Sequence, residues 1–123
     1  MRNLFLAGLA LALCAGPAWA DDDVMASRYG NTIVVHLPNG GPVVHMYYNA
    51  DHTFSGRVKT GQQGMPDYIL HGTWKIEGNK ICNTYDPLPP GQKNPSCNTI
   101  DAHNVGDTWT AEGRTITIVP GIQ

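Results

Sequence analysis

Three side chains with acid–base or ligand chemistry lie close together in the first half of the chain: His36, His45 and Tyr47. Between the two histidines runs Pro38-Asn39-Gly40-Gly41. Asn-Gly between two β-branched runs is a strong hairpin signal, because both turn residues tolerate positive φ. With Asn39 and Gly40 as the central pair, His36 faces Val43 and Val34 faces His45. The imidazoles become diagonal neighbours on one face, with Tyr47 beside them. A neutral imidazole serves as a general base near neutral pH. The trio would therefore suit a cofactor-free isomerase, cyclase or lyase, with His36 or His45 as base and Tyr47 as hydrogen-bond donor. Zinc or copper would need a third ligand, which neighbouring strands would have to supply as His52 or His71.

The other face of the same hairpin carries Ile33, Val35, Leu37, Val44, Met46 and Tyr48, all apolar or aromatic. That face is the natural core face, which puts the histidines on the solvated side. Were the histidines inside, a second copy of the chain would have to cover Met46 and Tyr48, since exposed apolar strands are a liability on a soluble monomer. A homo-oligomer follows only from that arrangement.

The rest of the chain supplies the framework. Thr53 to Val58 reads as a third strand, with Phe54, Gly56 and Val58 on one side. Asp67 to Ile76 alternates over ten residues, with Tyr68, Leu70, Gly72, Trp74 and Ile76 on one face, the signature of a long strand. Gly72 on that face leaves room for a neighbouring side chain or a bend. Glu77-Gly78-Asn79 turns the chain into Lys80 to Tyr85. Residues 86–96 hold four prolines and read as a loop. Short strands are expected at 96–102 and 106–112, and a clean one at Arg114 to Val119. No amphipathic helical window follows the leader. Turns every 8–12 residues or so point to an all-β meander. Closing such a sheet removes its edges. The expectation is a small up-and-down antiparallel β-barrel of seven to eight strands, its interior filled by its own side chains. Tyr68, Trp74, Trp109 and Phe54 are the aromatic residues that would line a cavity if one exists; core filling is the alternative role.

The chain opens Met1-Arg2-Asn3, runs apolar from Leu4 to Leu13, and reaches Ala18-Trp19-Ala20 before three aspartates. One early cation, a short apolar run and an A-x-A end describe a secretory signal peptide over residues 1–20. The run is too short to cross a bilayer. Residues 21–31 read as a flexible lead-in, and 32–123 as a single barrel domain. Export places the protein in the periplasm or outside the cell. There Cys82 and Cys97 should join as a disulfide, closing the loop from Asn83 to Ser96. Loop-closure entropy makes that bond worth about 3 kcal/mol.

Eight basic residues against ten acidic ones give a formal charge of −2. Nucleic-acid binding calls for a basic face, so it is excluded as a function class, as is docking on anionic lipid. No Ser-His-Asp order, paired glutamates, phosphate-cradling glycine loop or H-E-x-x-H run occurs, and no cofactor is expected. The main functional expectation is a non-catalytic binder of a small apolar ligand or a partner protein. The histidine-based enzyme and the metal-binding protein are the alternatives.

Asn49-Ala50-Asp51-His52-Thr53-Phe54, then Gly72-Thr73-Trp74, then Gly78-Asn79-Lys80-Ile81-Cys82 and Cys97 form a recurring framework. Over residues 45–100 the chain resembles a group of small exported proteobacterial domains with lipocalin-like β-barrels. The resemblance implies a meander fold and export, and no active site.

Overall fold

The computed structural model describes residues 24–123; the expected signal peptide lies outside the described residues. Eight strands follow one another: β1 (Thr32–His36), β2 (Val43–Tyr48), β3 (Thr53–Lys59), β4 (Tyr68–Glu77), β5 (Lys80–Tyr85), β6 (Ser96–Thr99), β7 (Thr108–Ala111) and β8 (Arg114–Val119). All pair antiparallel in one sheet ordered β6-β5-β4-β3-β2-β1-β8-β7. Each strand therefore lies beside its chain neighbour and β8 returns to β1. The sheet curls into a nearly closed barrel whose only unlinked neighbours are β6 and β7. Among the described residues no helix is long and apolar enough to cross a membrane.

The first hairpin takes the register its turn dictates. Asn39 and Gly40 sit at φ 63° and 69°, as a type I′ turn requires. The Gly41 amide donates to the Pro38 carbonyl, and His36 pairs with Val43 and Val34 with His45. The apolar face turns inward: Ile33, Met46 and Tyr48 are buried. The same phase passes along the ladders to Phe54 and Val58 on β3, Leu70 and Trp74 on β4, Ile81 on β5 and Ile118 on β8, all buried. A one-residue slip in any pair would turn that set out to solvent.

Gly72 is the tightest point of the wall. It lies directly between Phe54 on β3 and Tyr85 on β5. The two rings meet edge to face across it, with centroids 5.5 Å apart. Cys82 and Cys97 face each other directly across β5 and β6 and are joined as a disulfide. The bond holds the short edge strand β6 to the sheet.

Residues 24–31, expected as a flexible lead-in, are packed instead. Met25 is fully buried and Val24 and Arg28 nearly so. Tyr29 bridges to Tyr48. The Ser27 hydroxyl donates to the His103 carbonyl, and Arg28 reaches the Asp101 carbonyl. The reason is geometric. The barrel end near Thr32, Tyr48 and Trp74 would otherwise expose apolar side chains, and Val24 and Met25 cover them. This segment therefore closes one end and leans on the loop that spans from β6 to β7.

Candidate functional site

The barrel interior is not filled. A cavity of about 300 Å³ remains inside it, which corrects the expectation of a solid core. Its volume is at the lower limit for small-molecule sites. The walls come from inward residues of the ladders, among them Val35, Val44, Met46, Leu70, Ile81 and Ile116. Gly56 on β3 points inward and leaves the room the Met46 side chain takes up: a Cβ there would lie 2.9 Å from the Met46 sulfur. The loops at the far end from Met25 form a rim of Leu37, Pro42, Tyr68, Pro89, Gln92 and Glu112. The rim is open, with Tyr68 46% exposed. The neighbouring Met65, Ile69 and Leu88 are also exposed.

Toward the closed end the lining becomes polar. Arg28 is 4% exposed and Asn83 5%, and both line the cavity. The Arg28 guanidinium donates to the carbonyls of Val24 at 2.7 Å and Asp101 at 3.1 Å. Its carbon lies 5.7 Å from the centroid of Trp109, within cation–π range. Trp109 in turn stacks on His103, with ring centroids 3.5 Å apart. Asn83 Nδ2 donates to the Tyr48 hydroxyl at 3.1 Å, while Asn83 Oδ1 is buried with no hydrogen-bond partner. Burial pulls the Arg28 guanidinium below its ordinary range, against the opposing pull of Tyr48 and Asp101.

The four aromatic candidates divide into two pairs. Tyr68 and Trp109 line the cavity. Trp74 and Phe54 are core residues, each 2% exposed. The Trp74 indole donates to the Asn49 carbonyl at 3.0 Å and stacks on His52 at 4.1 Å, so it anchors the β2–β3 turn. The histidine trio sits on the outer face. His36 is exposed, and the Tyr47 hydroxyl donates to the Gln123 carbonyl oxygen at 2.7 Å. His45 Nδ1 is 3.4 Å from the same oxygen. The last residues of the described chain thus lie across the outside of β1 and β2, fixed also by the Gln123 amide donating to Thr32 Oγ1. His71 is exposed on the outer side of β4. Among the described residues no group of three His, Cys, Asp or Glu is placed to hold a metal.

Sequence reasoning missed Arg28 and Asn83. Asn83 had a readable signal: in Lys80-Ile81-Cys82-Asn83-Thr84-Tyr85 it shares the inward phase of Ile81 and Tyr85. Arg28 had none, because its partner at Asp101 lies far along the chain.

Tyr48 gives the site a test. Its hydroxyl is pushed up to about 12 from an ordinary value near 10, mainly by burial, partly offset by the Asn83 hydrogen bond. Burial moves Tyr85 in the same direction. The folded state thus holds these protons more tightly than the unfolded chain. The stabilisation is whole below pH 10 and is lost as pH rises through about 12. A shift of this size corresponds to a loss on the order of 2–3 kcal/mol from Tyr48. Urea unfolding across that range should show the loss, and Tyr48→Phe should show a clearly smaller one. Equal alkaline loss in both proteins would refute the assignment.

No protein-family model, curated protein or solved structure matches this chain.

Proposed function

We propose that this protein is an exported, non-catalytic binding barrel, periplasmic or secreted, that takes a small apolar or amphipathic molecule into its interior in the manner of lipocalin-like domains. The observation that carries this reading is the cavity of about 300 Å³, apolar on its β1–β4 side, polar elsewhere, and open at one rim. Exposed Met65, Tyr68, Ile69 and Leu88 at the same end suit the entry of an apolar molecule. The disulfide agrees with an oxidising compartment. The histidine-based enzyme gains no support from geometry, since Tyr47 and His45 share a carbonyl partner on the outer wall.

The test is titration with the uncharged fluorophore N-phenylnaphthylamine. Saturable one-to-one enhancement of its emission is expected. Val44→Trp, which fills the cavity from β2, should abolish it, while His36→Ala and His45→Ala should leave it unchanged. Absence of saturable binding, or full binding by Val44→Trp, would sink the proposal.

A further inference from the structure

Arg28 is a buried cation whose nearby opposite charge, Asp101, is solvent-exposed and attracts it without forming an ion pair. The ion pairs among the described residues are Lys75–Glu77 and His103–Asp107, and neither includes it. Its hydrogen-bond acceptors are two neutral carbonyls, which use two of the five N–H donors a guanidinium carries. Holding a buried charge with only an exposed, unbonded counter-charge is costly, so an anion brought against its free N–H groups would be stabilised. Beside it stands a second donor. The Tyr48 oxygen accepts from Asn83 Nδ2, so its own hydrogen is left for another acceptor. Burial keeps that phenol protonated at any physiological pH. Asn83 Oδ1, an acceptor with no partner, lines the same end; a carboxylate cannot satisfy it, so the case for an anion rests on the donors of Arg28 and Tyr48. Above this end the β1–β4 side of the wall is largely apolar, while the side formed by β6–β8 and their loops adds Ser96, Asn98, Thr110, Glu112 and Arg114.

Resting on the binding-barrel reading, the geometry points to an acidic amphiphile as the ligand: a carboxylate seated on the Arg28 guanidinium and the Tyr48 hydroxyl, with its apolar chain running toward the Tyr68 rim. Asn83 is a positioning residue, holding the Tyr48 oxygen so that the phenol hydrogen serves the carboxylate. The buried end of the ligand is its charged end, and its chain is limited to medium length by the volume of the cavity.

Three probes with one chain and different heads decide this: decanoate, decanol and decylammonium, each titrated calorimetrically into the wild-type protein. A charge-assisted pair predicts decanoate at least about tenfold tighter than decanol, with decylammonium weakest. In Arg28→Met the decanoate advantage should vanish while decanol changes by less than about threefold. Arg28→Lys, which keeps the charge, should retain part of the preference. Because Arg28 also ties down the Val24 and Asp101 carbonyls, its variants can lose structure; the wild-type ranking therefore stands as a test by itself. Decanol equal to or tighter than decanoate overturns the acidic head and leaves the binding barrel standing. So does binding of N-phenylnaphthylamine with none of the three probes bound. Failure of every probe, the fluorophore included, overturns both.

Discussion

Gly72→Ala costs the barrel more than about 3 kcal/mol, beyond the usual range for overpacking. A Cβ at Gly72 would stand 2.0 Å from the Thr84 carbonyl oxygen and 2.7 Å from the Phe54 ring. The ring could turn aside at moderate cost. The carbonyl cannot, because it belongs to β5 and moving it breaks the β4–β5 ladder. Domains of this size have a total stability of about 5–15 kcal/mol, so the variant loses a large fraction of it. Urea denaturation should show a strongly lowered midpoint with an unchanged slope. The penalty should persist when Phe54→Leu is present in the background, since the backbone contact remains. If Phe54→Leu erased the penalty, the ring would be the obstacle and the account of this strand pair would be wrong.

Replacing both Cys82 and Cys97 by alanine lowers stability by about 3 kcal/mol, from loop-closure entropy alone. The bond sits on the outer side of the wall, between β5 and an edge strand of four residues. Strands so short are held weakly by their ladder, and among the described residues β6 has no strand partner on its other side. The loop the disulfide closes also carries Pro89 and Gln92 to the cavity rim. The double variant should therefore unfold at lower urea and bind the fluorophore more weakly even where it remains folded. Unchanged binding in the folded variant would separate the rim from the disulfide. A stability loss under about 1 kcal/mol would show that the open chain already holds this loop closed.

Strand positions were largely legible in the sequence because period-two alternation and turn chemistry agree here. Asn39-Gly40 fixed one register, Gly78-Asn79 another, and the ten-residue alternation of β4 set the inward phase. Phe54 and Trp74 were harder to place. Both are inward aromatics, yet only their neighbours decide whether they face a cavity or the packed end, and those neighbours come from distant strands. The empty interior escaped for a related reason. It depends on how far the inward side chains of several strands reach toward one another across the barrel, a sum that no single segment displays. The packed state of residues 24–31 was invisible because Val24, Met25 and Arg28 have no periodicity; their burial follows from the shape of the barrel end they close. The outward placement of His36 and His45 followed directly from the apolar face opposite them.

The seam between β6 and β7 changes what kind of container this is. A fully laced barrel has its girth fixed by the number and stagger of its strands. Here one joint in the circumference, between β6 and β7, has no ladder among the described residues, and the loop that leads from one to the other is held at Asp101 and His103 by the end-closing segment instead. Such a joint can part slightly without unzipping any ladder. A guest of the proposed kind would find its most yielding wall at this seam, while the seven laced joints keep their registers.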